Sequence, residues 1–170
     1  MIFRDDDISY LTKLDDFKRV HSLFEKYNVM HTVAVIAKDL DKNPELVEYL
    51  KSNKLIDVQL HCWEHYDMSI TDEVTLNTDI EKAIGELFVL GFDVNTLYPP
   101  WNKSSVSLDG VAWNLGLSVS NKKITLAAYI RCAGQVEEDV INFHYWADSE
   151  CIFIEPALKI YTQKPMRCNI

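Results

Sequence analysis

The sequence predicts one α/β domain, residues 1–170, built around five or six mainly parallel strands. The chain has 170 residues, which is the usual size of a single domain. Short apolar runs alternate along it with amphipathic segments, the order expected of successive β-α units. Acidic, histidine and tryptophan side chains follow several of these apolar runs. In parallel sheets such side chains meet beyond the carboxyl ends of the strands, where the chemistry of these folds gathers.

The composition excludes several classes of protein. Hydrophobic residues make up 48% of the chain and charged residues 25%, which excludes disorder and low-complexity sequence. Acidic residues outnumber basic ones 26 to 17, so we expect no nucleic-acid partner and no binding to anionic membranes. The four cysteines form no C-x-x-C pair, which argues against a disulfide scaffold or a zinc finger. The first residues lack the pattern of a signal peptide and predict a cytoplasmic protein.

The first half of the chain predicts three strands and two helices. A strand begins almost at the first residue, over 2–4, and apolar residues at helical spacing predict a helix over 13–28. Residues 31–36 are rich in β-branched side chains and predict a buried strand. Asn43 followed by proline is a helix start. The next strand is predicted over 55–60.

The second half continues the alternation with shorter elements. A long helix is predicted from Glu73 to Leu90, where Gly91 would end it. Ser104 or Ser105 is predicted to cap a further helix that reaches Leu115. Strands are predicted over 96–98, 117–120 and 140–146, and 151–154 is either a last strand or a helix start.

Three consecutive aspartates, Asp5, Asp6 and Asp7, close the first predicted strand. Their mutual repulsion calls for a compensating cation or arginine, unless they form a solvated turn. Side chains alternate along a strand, so Arg4 and Asp6 share one face if the strand continues. In such a group, one carboxylate can bind a metal while its neighbour accepts a proton.

His61 and His65 are separated by four positions. On an extended strand they would lie about 13 Å apart, too far to bind one ion. On a helical turn their Cβ atoms approach to about 5–6 Å, which suits two imidazoles on one metal. We therefore predict a turn that begins directly after Leu60, although two unrelated histidines remain an alternative.

The same five residues also fit the H-x-x-E-H pattern of inverted zinc peptidases, with Glu64 as the general base. That motif needs a long helix that carries both histidines. The residues before His61 predict a strand instead, so the peptidase ranks second.

Two histidines and one carboxylate would give a metal three protein ligands and leave a position open for water. An open position is typical of a catalytic site rather than a structural one. Zinc is the default ion for this set, with cobalt, nickel or manganese as alternatives.

The motifs resemble those of the polysaccharide deacetylases, that is, carbohydrate esterase family 4 and its divergent relatives. Residues 4–9 read R-D-D-D-I-S, 60–65 read L-H-C-W-E-H and 98–102 read Y-P-P-W-N. They occur in the order of the family motifs T-F-D-D-G, H-[ST]-x-x-H and R-x-P-[YW]. A later strand that ends in His144 is similar to the family's last motif. The resemblance spans residues 1–146.

The resemblance implies a role for each residue of the first two motifs. Asp7, His61 and His65 would bind the metal, and Asp6 would be the catalytic base. A shift of one residue would instead make Asp6 the ligand and Asp5 the base. We prefer the first register because Arg4 then replaces the threonine of the motif.

The later motifs imply further roles and two departures. His144 would be the general acid, and a backbone N–H near Trp101 would help to bind the oxyanion. Tyr98 stands where the family has an arginine that orients the base, a function that Arg4 or Arg131 could assume. The family's fourth motif, an aspartate and tryptophan pair, has no clear match.

The resemblance also implies a fold and a reaction. The family fold is a distorted (β/α) barrel of about seven strands, and 170 residues predict a shortened version of it. The implied reaction is metal-dependent removal of an acetyl group from an N-acetylated sugar or glycan through a metal-bound water. The alternative is a relative of the same fold that binds glycans or metal without catalysis. A cytoplasmic location would suit a soluble substrate or a phage-encoded role.

Overall fold

Seven parallel strands form one sheet in the computed structural model, which describes residues 1–132, 135 and 140–163. The strands are β1 (Ile2–Ile8), β2 (His31–Ile36), β3 (Ile56–Cys62), β4 (Thr96–Leu97), β5 (Ser118–Val119), β6 (Ile124–Thr125) and β7 (Val140–Phe143). Their order across the sheet is β5-β4-β3-β2-β1-β7-β6. The helices are α1 (Leu14–Tyr27), α2 (Pro44–Ser52), α3 (Glu73–Val89), α4 (Val106–Asn114), α5 (Leu126–Arg131), α6 (Asp148–Cys151) and α7 (Ile154–Gln163).

The sheet curls into a half-barrel. Strands β5 and β6 lie at its two opposite edges, yet residues 120–123 alone connect them. A fully extended chain from Val119 to Ile124 spans at most about 18 Å, so the two edges must approach each other. Three of the seven strands have two residues each. The prediction of a shortened, distorted barrel with mainly parallel strands is confirmed.

The two faces of β1 lie in different surroundings. Phe3 packs edge-on against Phe24 of α1 and Tyr129 of α5, so this face contacts the helices. The side chain of Arg4 points to the opposite, inner face of the curled sheet, where it lies over the ring of Tyr98. This alternation aims successive residues of β1 at different neighbours.

Side-chain caps start several helices where the sequence predicts them. The side chain of Asn43 accepts a hydrogen bond from the backbone of Leu46, and Pro44 opens α2. The hydroxyl of Ser105, rather than that of Ser104, caps α4. The predicted end of the long helix is also observed, since Gly91 follows it with a φ of 91°, a conformation that glycine adopts readily.

Three strand predictions need correction. Strand β1 runs on through the three aspartates to Ile8, and β3 continues through His61 to Cys62. The strand predicted over 140–146 ends at Phe143. Of the two alternatives for residues 151–154, the helix start is the one observed, because α7 begins at Ile154. The sequence analysis also missed β6 and α5. None of the helices in the described ranges has the length and apolar composition needed to cross a membrane.

Candidate active site

The carboxyl ends of β1 and β3 bring Asp7, His61 and His65 together, and we name these three residues the edge cluster. The pairing of β1 with β2 shifts register between Asp5 and Ile8, which marks a β-bulge. Asp7 lies in this bulge with a φ of 65°, in the left-handed region that non-glycine residues rarely adopt. Bulges re-aim side chains next to active sites. This bulge directs the Asp7 carboxylate towards the end of β3.

The geometry of the edge cluster suits one metal ion. Oδ1 of Asp7 lies 3.3 Å from Nε2 of His61 and 3.3 Å from Nε2 of His65. The three candidate ligand atoms lie within 4.8 Å of one another. His65 reaches this position through a bend after Cys62, and not through the helical turn after Leu60 that the sequence suggested. The two imidazoles therefore converge as predicted, but a bend and not a helical turn brings them together.

Hydrogen bonding favours a cation inside the edge cluster. Nδ1 of His61 lies 2.6 Å from the carbonyl oxygen of Tyr98 and must donate a proton to it. In a neutral ring, Nε2 then carries a lone pair, and this lone pair faces the Asp7 carboxylate. Neither His61 Nε2 nor Asp7 Oδ1 has a hydrogen-bond partner among the described residues. A cation between these atoms would remove the repulsion, and the residues fit zinc.

The electrostatics of the edge cluster also suit metal binding. Burial alone would raise the pKa of Asp7, but the positive charges that His61, His65 and His144 carry when protonated outweigh it and lower that pKa below its ordinary value. A metal cation in the same place would act in the same direction. Burial and the neighbouring His61 lower the pKa of His65. An ionised carboxylate and neutral imidazoles are the forms in which these groups bind metals.

Asp6 lies beside the edge cluster on the inner face of the sheet, where two side chains hold it. Nη2 of the fully buried Arg4 donates to Asp6 Oδ2 at 2.8 Å, and Nδ2 of Asn142 donates to the same oxygen at 2.8 Å. Arg4 Nε lies 2.7 Å from Asp6 Oδ1. The expected shared face of Arg4 and Asp6 is observed. Of the two arginines that the sequence offered for orienting the base, Arg4 contacts Asp6, while Arg131 is exposed at the end of α5.

Arg4 also contacts the loop after β4. Its Nη2 donates to Oδ1 of Asn102 at 2.6 Å, and its guanidinium lies 4.6 Å from the centre of the Tyr98 ring. Both Trp101 and Asn102 have left-handed backbones, with φ values of 54° and 57°. Two successive strained residues of this kind persist only where the surroundings hold them, and they cluster at functional sites.

His144 approaches the edge cluster from the end of β7. Its Nε2 lies 3.8 Å from Asp7 Oδ2, and its Nδ1 lies 3.1 Å from Oε2 of Glu150. The same Glu150 oxygen accepts a hydrogen bond from the backbone N–H of His144 at 2.7 Å. Glu150 thereby holds one ring nitrogen and leaves the other directed at the site.

Asp5 points away from the edge cluster. Its carboxylate is fully buried, accepts a hydrogen bond from the Tyr145 backbone at 2.8 Å and lies 3.4 Å from His31. The alternative register, with Asp6 as ligand and Asp5 as base, does not match this arrangement.

Two exposed tryptophans flank the site. Trp101 is 54% exposed, and its ring lies 4.7 Å from that of His65. Trp146 is 57% exposed, and its ring lies 5.0 Å from that of His144. One follows β4 and the other follows β7, so strand order places them on the two sides of β1.

The peptidase interpretation lacks its helix. His61 is a strand residue and His65 follows in a bend, so no helix carries the pair. Glu64 forms an ion pair with Lys38 at the surface. A general base of that motif would have to face the metal.

Sequence reasoning missed three polar contacts of the site. Asn142 interrupts an apolar strand two residues before His144, and this signal was readable. Asn102 belongs to a recognised motif but had no assigned role. Glu150 lies on a short helix after the last motif, and no local pattern indicates its contact with His144.

Comparison with known proteins agrees with this fold. The sequence matches the family described as polysaccharide deacetylase over residues 6–120, more than half of the chain. The chain therefore belongs to the polysaccharide deacetylase family. Among curated proteins, none matches the sequence significantly.

Solved structures of the same fold include enzymes and a pseudoenzyme. A family 4 carbohydrate esterase from Streptomyces lividans, in complex with acetate, is 15% identical with a TM-score of 0.77, covering 94% of this chain and 86% of that one. A peptidoglycan deacetylase from Bacillus subtilis is 14% identical with a TM-score of 0.76, covering 95% and 82%. A family 4 pseudoenzyme from Bacillus anthracis is 12% identical with a TM-score of 0.77, covering 95% and 61%. These likenesses show the fold.

Proposed function

We propose that this protein is a metal-dependent hydrolase that removes the acetyl group from an N-acetylated sugar or glycan. One observation carries the proposal: the unpartnered Nε2 of His61 and Oδ1 of Asp7 face each other across 3.3 Å, beside an oriented second carboxylate. Asp7, His61 and His65 would hold one divalent ion, zinc by default. Such an ion polarises an acetyl carbonyl and lowers the pKa of water.

Asp6 is the proposed general base. Arg4 and Asn142 both donate to Oδ2 of Asp6, and Nε of Arg4 forms an ion pair with Oδ1 at 2.7 Å. The Asp6 carboxylate, held in this way beside the edge cluster, would take a proton from the attacking water. The guanidinium fixes the direction of the carboxylate, and a general base must be oriented in this way to receive a proton.

His144 is the proposed general acid. Glu150 holds Nδ1 of its ring, so Nε2 faces the position that the leaving amine nitrogen would occupy. A proton delivered from Nε2 would neutralise that nitrogen as the C–N bond breaks.

The loop after β4 is proposed to bind the oxyanion. The left-handed backbone at Trp101 and Asn102 turns this segment next to His65, and Arg4 holds it through Asn102. A backbone N–H presented near Trp101 would stabilise the charge that develops on the carbonyl oxygen.

The two exposed tryptophans support a carbohydrate substrate. Trp101 and Trp146 present apolar ring faces with a polar edge to solvent, one beside each side of the site. Exposed aromatic rings that adjoin catalytic groups suit ligands with alternating apolar and polar surfaces. The glycan-directed names of the structural relatives agree with this class.

Zinc titration and acetate release test the proposal together. Purified protein freed of metal should bind about one zinc ion per chain, and the loaded protein should release acetate from N-acetylglucosamine oligomers or peptidoglycan. Failure to bind zinc would contradict the proposal, because the edge cluster would then have no ligand function.

A catalytically impaired relative is the second candidate, because the fourth motif is missing and a pseudoenzyme shares the fold. It predicts zinc binding without acetate release from any of these substrates. Zinc binding with acetate release would exclude it.

A further inference from the structure

A second group of ionisable side chains crosses the core, and we name Asp5, His31 and His21 the core row. All three are fully buried. Oδ2 of Asp5 lies 3.4 Å from Nε2 of His31, and Nδ1 of His31 lies 3.1 Å from Nδ1 of His21. The row runs from β1 through β2 to α1, between the sheet and the helices.

The surroundings of the core row would suit apolar side chains equally well. The His31 ring stacks on Phe24 with centroids 4.1 Å apart and an angle of 5°, and Phe143 stacks on the same ring at 5.7 Å. Burying three polar side chains in such a place destabilises the fold unless they are paired. The row therefore calls for an explanation other than packing.

Asp5 supplies that explanation through its other oxygen. Its Oδ1 accepts a hydrogen bond from the backbone N–H of Tyr145 at 2.8 Å. In the ladder between β1 and β7, Asp5 pairs with Phe143, which is the last residue of β7. The Asp5 side chain thus adds one hydrogen bond beyond the end of the ladder, directly after His144.

The two histidines fix the direction of the Asp5 carboxyl group. Two ring nitrogens 3.1 Å apart can share only one proton, so His31 and His21 must adopt defined tautomers. Nε2 of His31 faces Oδ2 of Asp5 at 3.4 Å, and neither atom has another hydrogen-bond partner among the described residues. This leaves Oδ1 directed at Tyr145.

We propose that Asp5, held by His31 and His21, is a positioning residue that fixes the backbone at Tyr145 and thereby the place of His144 beside Asp7. Two acidic side chains would then hold consecutive backbone N–H groups. Glu150 accepts from the N–H of His144, and Asp5 accepts from the N–H of Tyr145. The effect on catalysis rests on the proposed function, whereas the effect on the backbone does not.

Three variants test this role. Asp5→Leu removes both oxygens, and Asp5→Asn keeps an acceptor for Tyr145 and a donor for His31. Val33→Ala is the matched control, because Val33 is fully buried and pairs with Asp5 in the sheet register but lies outside the core row. The readouts are the amide signal of Tyr145 and the ring signals of His144 in NMR spectra of the zinc-loaded protein, followed by kcat and KM.

Asp5→Leu should move the Tyr145 and His144 signals and lower kcat by about 10²-fold with little change in KM, since small misplacements of catalytic groups cost this much. Asp5→Asn should restore the signals and most of kcat. Val33→Ala should lower stability and leave both signals and kcat near those of the parent. Unchanged signals in Asp5→Leu, or equal losses in Val33→Ala, would overturn the proposal.

If Asp5→Leu does not fold, His31→Phe replaces it, since a phenyl ring can stack on Phe24 while leaving Oδ2 without a partner. It should move the same two signals, and unchanged signals would again overturn the proposal. The NMR readout also separates this proposal from the proposed function. A parent protein without acetate release contradicts the deacetylase, while the Tyr145 and His144 signals still decide the role of Asp5.

Discussion

The edge cluster and the core row contain the same residue types, one aspartate and two histidines, and start two residues apart on one strand. In the edge cluster two ring nitrogens converge on a single carboxylate oxygen, at 3.3 Å each. In the core row the ring nitrogens face each other at 3.1 Å. In the edge cluster the His61 nitrogen that faces Asp7 carries a lone pair, which suits a cation, whereas the two facing nitrogens of the core row can share one proton. Composition alone therefore does not distinguish a metal site from a hydrogen-bonded core.

Access to solvent separates the two groups further. The side chains of Asp7 and His65 are 25% and 31% exposed, while every member of the core row is fully buried. A substrate can reach the edge cluster and cannot reach the core row. The proposed roles, catalysis and positioning, follow this division.

The largest expected effect comes from Asp7→Ala. Loss of one of three ligands should abolish stoichiometric zinc binding, measured by calorimetry and metal analysis, and with it all acetate release. Asp41→Ala is the control, since it removes an exposed carboxylate that belongs neither to the edge cluster nor to the core row. Retention of one zinc per chain in Asp7→Ala would show that the edge cluster is not the metal site.

Asp6→Asn should separate binding from turnover. The amide cannot accept the proton, so kcat should fall by about 10²-fold or more while zinc affinity stays near that of the parent. Steady-state kinetics and zinc titration of the same preparation measure both. Full activity of the Asp6→Asn variant would show that Asp6 is not the general base.

Glu150→Gln should have a smaller effect. The amide oxygen can still accept from the His144 backbone, but the ring loses its carboxylate partner, so we expect kcat to fall about tenfold. Asp148→Asn on the same helix is the control, because its side chain is almost fully exposed. Equal rates for the two variants would argue against an orienting role for Glu150.

The core row should be visible in the pH dependence of stability. Burial lowers the pKa of His31 and His21 below the ordinary 6.5, so the folded protein keeps both rings neutral where the unfolded chain is already protonated. The unfolded state then binds more protons. Through the two rings, the free energy of unfolding should fall as the pH drops below about 6.5, by up to about 1.4 kcal/mol per pH unit for each ring. Burial raises the pKa of Asp5, which acts in the opposite direction, so the contribution of His31 is read from the difference between the parent and His31→Phe. His31→Phe should reduce this slope in urea unfolding, and an unchanged slope would contradict the assignment.

The smallest expected effect is that of Glu64→Gln. Its ion pair with Lys38 is exposed, so stability should change by less than about 0.5 kcal/mol and acetate release should stay near that of the parent. A disabling effect would instead favour the peptidase interpretation.

Much of the fold was readable because its signals are local. The helix caps at Asn43 and Ser105 and the buried run 31–36 each depend on neighbours in the sequence. The two-residue strands β5 and β6 were harder to read, because so short a segment has no periodicity. Their pairing depends on the curl of the whole sheet.

The sequence by itself determined the class of fold, the family resemblance and the residue types of the site, since apolar periodicity and motif order are properties of the chain. Only the tertiary structure decided which aspartate meets which histidines. The bulge at Asp7 turns that side chain to the sheet edge, whereas Asp5 follows the regular alternation into the core. Contacts between residues far apart in the chain, such as Arg4 with Asn102 and Asp6 with Asn142, require the folded backbone to bring them together.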